Sequence, residues 1–276
     1  MRGTKRRGRE IGRSIEAVTL DFGNTLVAFG DGAMQGVIEE TAARAAEAWG
    51  LPALEFTSVW TEERIRQFTF DVPAGREADM DVRAGRVLAR LRGCPPPAPD
   101  QDWEPDATAR WSEAHETQAI LDWYAAAFVR QTPVPPGVGP ILRQLAGYYR
   151  LAILSNWPNA LSVERFVQAA GWMPYLEAVV ISHRVGVVKP RPGIFEAAAL
   201  ELGVASGPRL LHVGDDPGAD VAGAHGVGWL AALVKTRPGS SPLPMAAATG
   251  SEVADLEIDT LNDLPAALGL GGRDLS

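Results

Sequence analysis

Two hydrophobic periods run along the chain, and the places where one gives way to the other divide it. Ala17–Leu20 is a short, largely apolar run that stops at Asp21 and is followed by Gly23, Asn24 and Thr25. A run this short, bounded by turn-forming residues, predicts a buried strand that delivers Asp21 to the edge of a sheet. From Gly32 to about Thr132 the period is helical. Ile38, Ala42, Ala45 and Trp49 recur at i, i+4, i+7 and i+11, and Met80, Ala84, Val87 and Leu91 repeat that spacing, so each segment has one apolar face. Residues 54–70 carry a weaker stripe between them. Pro105 is expected to open a long helix running to Arg130, with Trp111, Ala114, Leu121 and Phe128 inward. Five tryptophans (Trp49, Trp60, Trp103, Trp111 and Trp123) fall in this region, and they are expected in the core of a four-helix bundle rather than in a ligand cage.

After the turn at Pro133–Gly137 the pattern changes again. Strands are predicted at 151–154, 178–182, 210–213, 229–234 and 254–258, alternating with helices near 138–145, 160–170, 193–202 and 217–225. Such alternation predicts an α/β fold with a doubly wound parallel sheet. The helical block then interrupts the sheet after its first strand. The expected organisation is a core of residues 15–31 and 133–276, with an inserted helical bundle at 32–132 overhanging the carboxyl edge as a lid.

Composition narrows the class. Hydrophobic residues make up 46% of the chain and charged residues 22%, as in soluble globular proteins. No apolar run approaches the roughly 20 residues that span a bilayer, so no membrane segment is expected. Arg2, Lys5, Arg6, Arg7, Arg9 and Arg13 face only Glu10 in the first 13 residues, and no apolar stretch follows them as a secretory signal requires. Residues 1–14 are therefore read as a basic disordered tail. Setting the tail's +5 against the chain's net −8 leaves −13 on the remainder, which argues against nucleic acid as the partner. Cys94 is the single cysteine and stands beside Pro95, Pro96 and Pro97; it reads as a loop residue and suits a reducing cytoplasm. A cytoplasmic monomer or homodimer is expected.

The strand ends carry complementary chemistry. Asp21 closes the first strand, Ser155 and Asn156 close the second, and Gly214, Asp215 and Asp216 close the strand at 210–213, with Asp220 one turn further on. Lys189 precedes Pro190 and Pro192. Carboxylates that converge repel one another unless a hard cation lies among them, and a site with few protein oxygens suits Mg²⁺, which keeps several waters. A lysine, hydroxyls and backbone N–H groups suit a phosphate. Taken singly, Ser155 and Asn156 serve equally well as helix caps and Asp220 as a first-turn acid.

Together these segments resemble the haloacid dehalogenase superfamily, most of whose members are phosphatases that form an aspartyl-phosphate. The first motif of that family matches DFGNTL, its serine or threonine motif LAILSN, its lysine motif VVKPRPGIF and its acidic motif HVGDDPGAD, in order, over residues 16–268. The resemblance implies a Rossmann-like core with a helical cap after the first strand. It also implies a Mg²⁺-dependent phosphatase acting on a small-molecule phosphate ester. Asp21 would be the nucleophile. Asp21, the carbonyl of Gly23, Asp215 and Asp220, with Asp216 less directly, would hold the metal or orient its waters. Thr25, Ser155, Asn156 and Lys189 would hold the phosphoryl group, and Lys189 would also neutralise Asp21.

One position departs from the family pattern. Its phosphatases carry a second aspartate two residues after the nucleophile, as general acid and base; here that residue is Gly23. Three readings follow: a phosphatase with an easily displaced leaving group or a proton donor from elsewhere, a metal-free 2-haloacid dehalogenase, or a non-catalytic binding or regulatory protein on the same scaffold. The acidic motif speaks against the second, and intact Asp21, Lys189 and Asp215 against the third. In the helical block, Arg64, Arg66, Arg76, Arg83 and Arg86 interleave with Glu62, Glu63, Glu77, Asp79 and Asp81, the pattern of a salt-bridged face rather than an anion site. Trp157 is expected to border the pocket, and His115 and His183 are candidate proton donors.

Overall fold

The computed structural model describes residues 2–30, 32–246 and 253–270. Six strands form one parallel sheet: β1 (Ala17–Leu20), β2 (Arg150–Ser155), β3 (Ala178–Ile181), β4 (Leu210–Gly214), β5 (Leu230–Val234) and β6 (Leu256–Ile258). Their order, β3-β2-β1-β4-β5-β6, runs outward from β1 in one direction and from β4 in the other. The α/β, doubly wound sheet expected from the alternating pattern is the one observed, and its order reverses between β1 and β4, where such sheets bind ligands. Helix α1 (Arg2–Ser14) precedes β1. Helices α2 (Gln35–Trp49), α3 (Ala53–Phe70), α4 (Met80–Leu91) and α5 (Ala114–Gln131) separate β1 from α6 (Val138–Ala146), which leads into β2. Helices α7 (Ala160–Ala169), α8 (Ser182–Val185), α9 (Pro192–Glu201) and α10 (Ala222–Gly226) alternate with the later strands, and α11 (Leu264–Ala267) follows β6. Among the described residues no helix is long and apolar enough to cross a membrane.

The chain divides into two compact units. The first comprises residues 1–31, 134–156 and 167–276, and the second Gly32–Pro133 with Trp157–Phe166. In the first, every residue of β1 is buried, and Ile194, Phe195 and Ala198 of α9 pack with Ala152, Leu154, Leu210 and Trp229 on the sheet. The first residues depart from expectation: α1 is a helix docked on this unit, not a disordered tail. Ile11 and Ile15 are buried, the Tyr149 hydroxyl donates to the Gly12 carbonyl at 2.9 Å, and Arg7 pairs with Asp255 at 2.6 Å. A Cβ at Gly8 or Gly12 would meet the carbonyls of Ala267 and Leu268 at 2.4 and 2.2 Å. The count of charges hid this stripe of glycine and isoleucine at helical spacing.

The second unit holds helices α2–α5. The segment after Asn156 belongs here rather than to the core: Trp157 packs edge-to-face on Phe128 at 5.5 Å, and Asn159 donates to the Leu121 carbonyl at 3.2 Å. The helix expected from Pro105 begins only at Ala114. Asp106 takes a left-handed φ of 60°, and Glu113 and Glu116 form a reciprocal capping box that fixes the true start. Of the five tryptophans only Trp60 is fully buried, stacked between Phe56 and Tyr124 at 5.7 and 5.8 Å; Trp49 and Trp123 meet each other half-buried, 4.9 Å apart. The arginines follow the salt-bridge expectation at Arg76, which pairs with Asp71, and at Arg86, which pairs with Asp71 and Asp102. Arg83 differs. It is buried over the Trp60 ring and held by Gln67 and the Ala78 carbonyl.

Candidate active site

Strand register assembles the site. Leu20 stands level with Ile153 of β2 and with Val213 of β4, so Asp21, one residue on, and Ser155 and Asp215, two residues on, emerge together at the carboxyl edge of the three central strands. Beyond Asp21 the backbone turns tightly: the amides of Leu26 and Val27 donate to the Phe22 carbonyl, and Asn24 takes φ 58°, a conformation that asparagine tolerates better than most residues.

Asp21 is buried and unequally dressed. Its Oδ1 accepts from the Ser155 hydroxyl at 2.9 Å and from Lys189 Nζ at 2.7 Å, while Oδ2 has no hydrogen bond among the described residues. Burial pushes the Asp21 carboxyl up to about 6, and Asp220 and Asp215 add repulsion against the pull of Lys189. Lys189 spends all three protons, on Asp21, on Asp220 Oδ1 at 2.6 Å and on the Leu154 carbonyl at 3.0 Å. Burial opposes its charge, but the two carboxylates outweigh burial and hold its pKa above the ordinary lysine value. The lysine is aimed by Asn156, whose side chain both accepts from the Lys189 amide at 2.7 Å and donates to the Lys189 carbonyl at 3.1 Å. Asn156, expected on the phosphoryl group, therefore has its side-chain amide committed to positioning the lysine.

The acidic motif splits by role. Asp215 accepts from the Thr25 hydroxyl at 3.4 Å on Oδ1 and from Arg237 at 2.7 Å on Oδ2. Its pKa is raised, by burial first and by Asp220 next, with Arg237 working against both. Asp216 is a cap: Oδ1 accepts from the amides of Gly218 and Ala219, and Oδ2 from Ala246. Both its oxygens are used, so the structure does not bring it to the cation position that the motif suggested. Asp220 lies in the π-helical turn Pro217–Val221, a device frequent at functional sites. Its Oδ1 meets Lys189 and His212, and its Oδ2 accepts the Asp216 amide. Burial would raise its pKa, but Lys189 and His212 hold it below the usual carboxylate range. A Cβ at Gly214 would lie 2.1 Å from that carboxylate, so only glycine lets it tuck under the strand end.

Asp21, Asp215 and Asp220 each offer an oxygen within 4.8 Å of the others. Asp21 and Asp215, both held above their ordinary pKa, each keep, among the described residues, an oxygen with no bond or only the long contact to Thr25, a donor pair that fits a hard divalent cation. Both oxygens of Asp220, expected on the metal, are instead engaged by Lys189, His212 and the Asp216 amide. Sequence reasoning missed two members of the site. His212 is fully buried in β4 and links Thr19, at 2.8 Å, to Asp220, at 3.0 Å. Because Asp220 only accepts, the ring proton sits on Nε2 and Thr19 donates to Nδ1; a polar residue within an otherwise apolar strand was its signal. Arg237 lies in the loop beyond β5, where no periodicity or motif marks it. Of the candidate proton donors, His115 is exposed beside Glu113 and His183 lies in the short helix α8. Trp157 belongs to the second unit.

The sheet, its reversal point and the four motifs define a class, and comparison with known proteins agrees. A family model described as haloacid dehalogenase-like hydrolase matches residues 15–228, and the chain belongs to that family of hydrolases. Pyrimidine 5'-nucleotidase YjjG of Escherichia coli (strain K12) is 33% identical over 111 residues, 39% of this chain and 48% of the relative. Glyceraldehyde 3-phosphate phosphatase of Methanopyrus kandleri is 27% identical over 146 residues, 53% of this chain and 60% of the relative. The chain thus spans only about half to three-fifths of the length of these relatives. Among solved structures, the 2-haloacid dehalogenase of Pseudomonas syringae pv. tomato DC3000 superposes with a TM-score of 0.63 at 23% identity, covering 94% of this chain and all of the other, a likeness of fold.

Proposed function

We propose that the protein is a Mg²⁺-dependent phosphatase that hydrolyses a small-molecule phosphate ester through an aspartyl-phosphate on Asp21. The observation that carries this reading is the asymmetry of Asp21: Ser155 and Lys189 fix one carboxylate oxygen, Oδ1, while the other, Oδ2, stands uncommitted among the described residues. Oδ2 attacks phosphorus, the bond to the leaving oxygen breaks, and that oxygen departs with the bonding pair. Water then attacks the phosphorus of the acyl phosphate, releasing phosphate and restoring the carboxylate. Asp21 and Asp215, with the Gly23 carbonyl, would hold Mg²⁺, which when bound supplies neutralisation of the phosphoryl oxygens. The hydroxyls of Ser155 and Thr25, which donate to Asp21 and Asp215 here, would turn to the transferred group, and Lys189 holds Asp21 ionised and aimed. Asp220 and His212 brace the lysine from below. The acidic pair Asp215 and Asp220 favours this chemistry over a metal-free attack on carbon, which has no use for their repulsion.

Position 23 has no carboxyl to protonate the departing oxygen. General acid help is worth about 10²- to 10⁴-fold, so turnover should depend steeply on how readily the leaving group carries negative charge. In a panel of Mg²⁺-supplemented phosphomonoesters, aryl and acyl phosphates are expected to turn over at least about 10²-fold faster than simple alkyl phosphates. Gly23→Asp should narrow that gap by raising the alkyl rates. Equal rates across the panel would remove the missing acid from the account.

A further inference from the structure

Arg237 is the second cation of the acidic cluster, and it comes from a segment that no motif covers. It lies just beyond β5. Its Nη1 donates to Asp215 Oδ2 at 2.7 Å, and its Nη2 donates to the carbonyls of Leu243 and Pro244. The guanidinium therefore ties its own loop to the end of β4. Two further bonds join that loop to the site: the Ser241 hydroxyl meets the Asn24 side chain at 3.0 Å, and the Ala246 amide donates to Asp216 Oδ2 at 2.7 Å. Residues 235–246 form a strap whose anchors are one residue of the first motif and two of the acidic motif.

The two cations of the cluster differ in their freedom to move. Lys189 is buried with every proton engaged, and losing it would strand two carboxylates. Arg237 is the more accessible of the two, its side chain 18% exposed against 2% for Lys189, and it sits on a loop. It holds one oxygen of the Asp215 carboxylate and offsets the charge of the whole group, while the other oxygen has, among the described residues, only the long contact to Thr25. We propose that Arg237 is a resident counter-ion that competes with the divalent cation for Asp215. Without metal it neutralises the carboxylate and pins the strap; cation entry displaces the guanidinium and loosens residues 235–246. The inference rests on the metal reading given above.

The test uses Mn²⁺ as probe, titrated calorimetrically into the full chain, into Arg237→Gln and into Lys235→Gln. It is accompanied by amide hydrogen exchange over 236–246 with and without the metal. A hydrogen bond to a charged group is worth about 10-fold or more in an equilibrium, so Arg237→Gln is expected to bind Mn²⁺ at least about 10-fold more tightly. Lys235→Gln removes the same charge from the same loop, but Lys235 pairs with Glu257 at 2.6 Å rather than with Asp215, so its affinity should not change. In the unaltered chain Mn²⁺ should speed exchange across the strap. Equal or weaker binding by Arg237→Gln, an equal gain in Lys235→Gln, or exchange that is unchanged or slowed by metal each overturns the proposal. Absence of Mn²⁺ binding in all three proteins overturns the metal reading itself, and this proposal with it.

Discussion

Asp21→Asn is expected to lower turnover by about 10⁴-fold or more, the scale on which a covalent nucleophile is missed, while leaving the metal-free chain more stable than the original above pH 6. The two effects share one cause. Asparagine keeps the shape of the side chain, and its Oδ1 can still accept from Ser155 and Lys189 as Asp21 Oδ1 does at 2.9 and 2.7 Å. What it lacks is the anionic oxygen whose electron pair attacks phosphorus in the proposed reaction. The same charge burdens the folded state, because burial and the neighbouring carboxylates raise the Asp21 pKa from 3.8 to about 6. An acid whose pKa is raised by folding contributes its stability at low pH and loses it as pH climbs through the folded value. Between pH 4 and pH 6 the original chain should therefore lose up to roughly 3 kcal/mol that the variant does not. Urea unfolding in EDTA at pH 4.5 and pH 7.5, beside phosphatase assays at the higher pH, reads both arms. Full activity in the variant would remove Asp21 from the chemistry; a variant less stable at pH 7.5 than at pH 4.5 relative to the original would show that its ionised form is not strained.

How much of this was legible beforehand differs by element, for physical reasons. Three strand ends could be read because a short apolar run cut off by an acid, a hydroxyl or a glycine leaves few alternatives, and register then brings Asp21, Ser155 and Asp215 together. The helix at Arg2–Ser14 was missed because charge dominates its composition, whereas its docking depends on two glycines that admit carbonyls at distances no Cβ allows. Pro105 suggested a helix start, but the local competition was won by Glu113 and Glu116, which satisfy two orphan amides together. The family resemblance puts Asn156 on the phosphoryl group. In the structure its two amide ends match the N–H and C=O of Lys189, a pairing that depends on a contact between segments 33 residues apart. Arg237 lay in a loop without periodicity, where side-chain partners leave no local trace.

Lys189→Met should be the most destabilising single change in the core unit, costing about 3–5 kcal/mol at pH 8, as removal of one partner from a buried ion pair does. The methionine fills much the same volume, so the loss isolates charge from packing. Asp21 and Asp220 would face each other inside the protein with His212 as the nearest remaining base, relieved of the lysine's repulsion but still opposed by burial. Without the lysine the Asp21 pKa climbs further above its unfolded value and Asp220 loses the charge that held its own below, so the variant's deficit should grow with pH. It is expected to be smallest near pH 5, where the acids can take up protons, and largest at pH 8. Arginine is not a rescue, because three acceptors converge on one tetrahedral nitrogen at 2.6, 2.7 and 3.0 Å, and a planar guanidinium cannot reproduce that arrangement. Chemical unfolding of Lys189→Met and Lys189→Arg across that pH range is the measurement. A deficit that is flat or shrinks with pH would mean that the lysine is not what lets the acids coexist, and the site would then need another source of positive charge before any phosphoryl group arrives.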